Sequence, residues 1–146
     1  MIQKATIDYQ IKSTWHLMNK MYNQVASKYG TTQATGLVLL SIDREGTPST
    51  SIAPSLGMEA TSMSRIMKTL EDNELIYRKK DKKDKRIVRI FLTEKGVEKR
   101  RIAKKVVTGF NDLIHTNIPQ SKLSLFNEVM DEINQTIEEY KEQNEL

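Results

Sequence analysis

The thirteen residues from Tyr77 to Arg89 constrain this chain more than any other segment. They hold eight Lys or Arg against two Asp, a local net charge of +6, while all 146 residues together carry only +4. The rest of the chain is therefore slightly acidic, at −2. Apolar alternation flanks the charged run on both sides, with Val88, Ile90 and Leu92 alternating with Arg89 and Phe91. Period-two patterning of this kind marks half-buried strands. The segment reads as a basic hairpin, with strands at about 75–80 and 86–92. Its tip, Asp81 to Lys85, lacks the Asn-Gly of a tight turn and is expected to form a longer, more mobile loop.

Helical periodicity accounts for most of what surrounds the hairpin. Ile7, Ile11, Trp15, Met18, Met21, Tyr22, Val25 and Tyr29 recur at steps of three and four, which predicts a helix over 7–29 closed by Gly30. Thr32 is placed to cap a second helix, carrying Ala34, Leu37, Val38, Leu40 and Ile42 and stopping near Gly46. Residues 47–51 read as a turn and a cap, followed by a short third helix over about 51–56 ending at Gly57. With Ser51 as the cap, Pro54 falls in the first turn, where its missing N–H costs little; an earlier start implies a bend. The fourth helix, about 60–73, turns Met63, Ile66, Met67 and Leu70 inward, and Thr61, Ser62, Arg65, Lys68 and Asp72 largely outward. Thr93 caps a fifth helix over about 94–117, bearing Ile102, Val106, Phe110, Leu113 and Ile114. After Pro119 and Ser121 a sixth, about 121–142, carries Leu125, Phe126, Val129, Ile133, Ile137 and Tyr140, and the acidic end from Glu138 to Leu146 is expected to fray.

The outward face of the fourth helix suits a duplex. Ser and Thr hydroxyls bond phosphates or either base type, and Arg bridges guanine O6 and N7. The plainer reading is an ordinary solvated face. The hairpin tip, with Lys82, Lys83, Lys85 and Arg86, has a plainer reading too, as an edge charged against aggregation. A net +6 exceeds what edge protection needs and favours nucleic acid. Asp84 and Arg86, two apart on the entering strand, can point the same way, so that the carboxylate aims the guanidinium. An aimed Arg at a hairpin tip suits a narrow, electronegative minor groove.

The bulk numbers leave few other classes open. The length fits one domain with helical extensions. No apolar run crosses a bilayer, and the first six residues lack the apolar core of a signal peptide, so a cytoplasmic address is expected. Absence of Cys removes disulfides, thiolate metal sites and thiol redox sensing. His16 and His115 lie on different helices, and no Gly-rich phosphate loop or metal-spaced cluster occurs, so neither an enzyme nor a cofactor is expected. Trp15, Met18, Met21, Tyr22 and Phe110 are a candidate small-molecule pocket between helices, although this spacing more often marks core. The middle segment cannot cover the apolar stripes of the first, fifth and sixth helices, which predicts a homodimer. The alternative is that the three helices pack only on each other.

The ordered set Leu70-Glu71, Leu75-Ile76-Tyr77-Arg78, Asp84-Lys85-Arg86 and Leu92-Thr93-Glu94-Lys95-Gly96 resembles the MarR-type winged helix-turn-helix regulators, and the resemblance covers essentially the whole chain. It implies one mainly α domain over 1–146 with a small β-hairpin wing: a winged helix-turn-helix region at 31–93, and long terminal dimerisation helices within 1–30 and 94–146. It also implies that Thr61, Ser62, Ser64 and Arg65 lie in the major groove or on its flanking phosphates, and that Arg86, steadied by Asp84, enters the minor groove. A ligand, often an aromatic or amphipathic acid in this family, would sit where the first, second and fifth helices meet. The expected function is that of a homodimeric, ligand-responsive repressor binding double-stranded DNA at a pseudo-palindromic operator, with no membrane partner. The main rival is a winged-helix protein-interaction module without specific DNA binding. Glu59 stands where the family usually has a Ser or Thr cap, and Glu74 where a Gly usually closes the recognition helix.

Overall fold

The computed structural model describes residues 6–146; the expectation about the first residues falls mostly on 1–5, outside the described ones. Two compact units are present, Met1–Val106 and Val107–Leu146. The first holds helices α1 (Ile7–Ser27), α2 (Gln33–Leu40), α3 (Ser49–Ser55) and α4 (Ala60–Asp72), with strands β1 (Thr47–Pro48), β2 (Ile76–Lys80) and β3 (Val88–Leu92). Helix α5 (Glu94–Asn117) begins in the first unit and ends in the second, which also contains α6 (Gln120–Gln143).

The first unit is organised around one apolar cluster. Val38 and Leu39 of α2, Ile42, Ile52 of α3, Met63, Met67 and Leu70 of α4, Leu75, Ile76 and Ile90 are all buried. Burying a side chain of this size contributes roughly 1.5–3 kcal/mol over leaving it exposed. α4 matches its expected inner face, except that Ile66 is only partly buried. Strand order is β1-β3-β2, both pairs antiparallel, with Ile76 opposite Leu92 and Lys80 opposite Val88.

Several local expectations need correcting. α2 stops at Leu40, not near Gly46. The Ser41 hydroxyl bonds back to the Val38 carbonyl, and Ile42 drops into the core from a turn. Residues 47–48 form an edge strand, with Thr47 opposite Ile90 and Pro48 opposite Arg89. Proline is tolerated at such an edge because it has no N–H to donate. α3 starts at Ser49, so Pro54 lies inside it and the Thr50 carbonyl loses an intrahelical donor. Phe91 is half-buried, as the strand pattern implied: it stacks on Tyr77, ring centroids 5.4 Å apart, against the backbone of Gly46. The acidic C-terminal stretch is helical as far as Gln143, with Lys141 bonded to Glu138.

Caps hold as expected elsewhere. Thr32 accepts a hydrogen bond from the Thr35 N–H, and Asn23 Oδ1 of α1 accepts one from the Gln33 N–H. Thr93 Oγ1 accepts from the Gly96 N–H at 3.0 Å while donating to the Glu74 carbonyl at 2.6 Å. Glu74 takes the left-handed turn after α4, at φ 57°, a conformation that costs a side chain energy and a glycine little.

In the second unit α6 buries none of its residues. Leu125, Phe126, Val129, Ile137 and Tyr140 are exposed along it, as is Leu113 on α5. No described helix is long and apolar enough to cross a membrane.

Candidate nucleic-acid interface

The helix-turn-helix is α3, a turn through Gly57, and α4. Gly57 has φ 61°, and the Met58 N–H returns to the Ala53 carbonyl, which reverses the chain between the two helices. Burial of Met63, Met67 and Leu70 leaves Thr61, Ser62, Ser64, Arg65 and Lys68 exposed on α4. Ser64 donates its hydroxyl to the Ala60 carbonyl, so toward a ligand it is chiefly an acceptor. The side chain of Glu59 makes no cap to the helix, so the first-turn amides have no side-chain partner.

The wing is β2, a tip over residues 81–87, and β3. Lys82, Lys83, Lys85 and Arg86 are exposed on the tip. The tip is longer than a two-residue turn, as expected, but it is pinned by a set of hydrogen bonds. Asp81 Oδ2 accepts from the Lys83 N–H at 2.8 Å and the Asp84 N–H at 3.0 Å. The Asp81 N–H bonds the Ile87 carbonyl, and the Ile87 N–H bonds the Asp84 carbonyl.

Asp84 and Arg86 pair in a fork. Arg86 Nε donates to Oδ1 at 3.0 Å and Nη2 to Oδ2 at 2.9 Å, and the Arg86 backbone N–H also donates to Oδ1. Both residues lie in the turn before β3, so a tight turn and not strand alternation brings them together. The Arg86 side chain is 90% exposed and that of Asp84 35%. Hydrogen bonds from Arg86, first from its side chain and then from its backbone, hold the Asp84 carboxyl below the usual carboxylate range. A pair this exposed adds little to stability. Its consequence is directional: a cation projects into solvent with its plane fixed.

Sequence reasoning missed the supports behind this pair. Arg89 forms an ion pair with Asp81 and donates from Nη1 to the Gly46 carbonyl at 2.9 Å. Arg78 of β2 pairs with Glu71 of α4, tying the wing to that helix. The Asp81 signal was available, since an Asp opening a loop commonly accepts the amide two residues on. The Arg89 signal was not, because its partners are eight and 43 residues away.

Of the candidate pocket residues, Trp15, Met18 and Tyr22 lie on α1 in the first unit and Phe110 in the second. Trp15 is half exposed; Met18, Tyr22 and Phe110 are partly buried, and burial pushes the Tyr22 phenol upward. Among the described residues no group of three or more His, Asp or Glu could hold a metal ion.

Residues 31–88 match the model of the MarR family. No curated protein sequence matches the chain. Solved structures do. The transcriptional regulator PA3341 superposes with a TM-score of 0.82 at 24% identity, over 92% of this chain and 99% of its own. The S. aureus MepR–DNA complex matches at 0.78 and 19%, over 90% and 98%. CouR from Rhodococcus jostii RHA1, bound to p-coumaroyl-CoA, matches at 0.79 and 20%, over 90% and 93%. The MarR family model thus matches the segment from α2 to the start of β3, and the chain shares the fold of these solved structures across nine-tenths of its length.

Proposed function

We propose that the protein is a sequence-specific DNA-binding transcriptional regulator, a ligand-responsive repressor that acts as a homodimer on a pseudo-palindromic operator. The observation that carries this reading is the forked Asp84–Arg86 pair, which aims an almost fully exposed guanidinium from a lysine-rich tip. Thr61, Ser62, Ser64, Arg65 and Lys68 lie in the major groove or on its flanking phosphates, and Lys82, Lys83 and Lys85 contact phosphates. MepR, which shares the fold, was solved on DNA.

Residues 31–93 form the DNA-binding region, and 1–30 with 94–146 the dimerisation region. Support for pairing comes from the exposed apolar side chains of α6 together with Ile7, Ile11 and Leu17 of α1, a larger display than solitary soluble chains usually carry. Trp15, Met18 and Tyr22 of α1 contribute to a site for an aromatic or amphipathic acid. The buried Arg100 Nε and Asn19 Oδ1, which lack hydrogen-bond partners among the described residues, are a donor and an acceptor suited to such a ligand. CouR binds p-coumaroyl-CoA. A ligand relieves repression only as far as it prefers a dimer with misplaced recognition helices. The protein has no catalytic role in this proposal and works in the cytoplasm, where DNA is reached.

The test is Arg86→Ala. Each dimer loses two charge-assisted contacts, so operator binding should weaken roughly 10²- to 10⁴-fold. Preference for A·T-rich flanks should flatten with it, as read by fluorescence anisotropy on matched duplexes. Unchanged affinity and preference would remove the role given to Arg86. A stable complex with an acidic protein and no footprint on DNA would favour the interaction-module reading instead.

A further inference from the structure

We propose that Asp81 and Arg89 are positioning residues that fix the aim of Arg86, by clamping the wing tip to the backbone carbonyl of Gly46; the inference rests on the DNA-binding reading above. The clamp is a continuous chain of bonds. Arg86 is held by Asp84 through three N–H donors. The Asp84 amide is held by Asp81 Oδ2, and Asp81 Oδ1 by Arg89 Nε. Arg89 Nη1 then reaches the Gly46 carbonyl, just before β1 and α3. Each end is anchored in packed structure. Gly46 is buried, has φ 84°, and lies so close to Phe91 that a Cβ there would sit 2.5 Å from the ring. Phe91 is in turn stacked on Tyr77.

The Asp81–Arg89 pair differs from the other ion pairs of the described residues. Its side chains are 15% and 31% exposed, less than either partner in any of the others. Solvent therefore screens it least. The Asp84 amide, then Arg89, then the Lys83 amide hold the Asp81 carboxyl far below the usual carboxylate range, so it stays ionised at neutral pH. A partly buried Asp at the start of a lysine-rich tip works against simple attraction to phosphate. The geometry gives it another use: one oxygen shapes the loop and the other fastens it.

That conflict supplies the test. Asp81→Asn removes a negative charge beside the DNA-facing tip, so attraction alone predicts tighter binding. The clamp predicts the reverse. Anisotropy titrations on an operator duplex selected from genomic DNA would compare the wild type, D81N, R89A, R86A, D81N/R86A and R89A/R86A, with a denaturant melt of each. D81N and R89A should each weaken binding about tenfold, and in the R86A background should add less than about twofold, since residues in one network couple. D81N binding as tightly as the wild type or tighter, or penalties that add fully to that of R86A, would overturn the clamp. Should R89A unfold, D81N, which retains an amide-accepting oxygen, carries the comparison. Wild type without preference for any duplex would remove the DNA-binding reading and the clamp with it; wild-type binding with an indifferent D81N would remove the clamp alone.

Discussion

Raising salt from about 50 to 200 mM should weaken operator binding about 10³- to 10⁵-fold. The expectation comes from counting exposed cations on the proposed face. Each protomer offers Lys82, Lys83 and Lys85 on the wing, and Arg65 and Lys68 on α4. Three to five of these on phosphates per protomer give roughly six to ten per dimer, and each neutralised phosphate adds about 0.9 to the slope of log affinity against log salt. Arg86 is left out of the count, because its proposed contact lies in the minor groove. Replacing both Lys82 and Lys83 by Gln removes about four phosphate contacts per dimer, so the slope should become shallower by about 3 to 4 while base preference persists. Anisotropy titrations at five salt concentrations read both quantities. A flat response, or a slope untouched by the double substitution, would show that the tip does not lie on the backbone of the duplex.

Gly96→Ala should destabilise the protein by about 3 kcal/mol or more, near the top of the range for overpacking. Within a helix this substitution is usually favourable by up to about 1 kcal/mol. Here the added Cβ would sit 1.9 Å from the Leu75 carbonyl oxygen and 3.3 Å from Leu92 Cδ2. The obstacle is backbone, which cannot rotate aside. That backbone is also tied down: the Thr93 N–H bonds the same Leu75 carbonyl, and Lys95 bonds the Asn73 carbonyl at 3.0 Å. Either α5 lifts at its start or the turn after α4 moves, and both break the Thr93 cap. Because residues 73–75 close the recognition helix, DNA affinity should fall too. Gly36→Ala is the matched control. Its Cβ would meet only Ala103 Cβ at 3.6 Å, an ordinary contact, so stability should rise by about 0.5–1 kcal/mol. Urea melts at fixed protein concentration measure both; equal effects at the two glycines would contradict the packing described.

What the sequence made legible follows from how local each signal is. α5 was bounded correctly because Thr93 announces its start and Pro119 follows its end. α4 was legible because its apolar and polar residues separate cleanly around the helix. α2 was not, since Leu37 to Leu40 and Ile42 are apolar without a glycine to mark the stop, and tertiary burial of Ile42 decided it. β1 is only two residues long and exists through pairing with β3, which no local pattern can show. The candidate site divides the same way. Asp84 and Arg86 were paired correctly from a spacing of two, although a turn and not a strand produces the fork. Asp81, Arg89 and Gly46 escaped notice because their juxtaposition requires the sheet to form first.

Two copies are expected to present two α4 helices to successive major grooves, with a wing beside each. Footprinting of genomic fragments selected by the purified full chain tests this most directly. The account predicts enriched sites made of two inverted half-sites, about 10–10.5 bp apart centre to centre and protected on one face of the duplex, or about 34–36 Å along it. Fragments no more enriched than random DNA, or protection confined to one unpaired half-site, would contradict it.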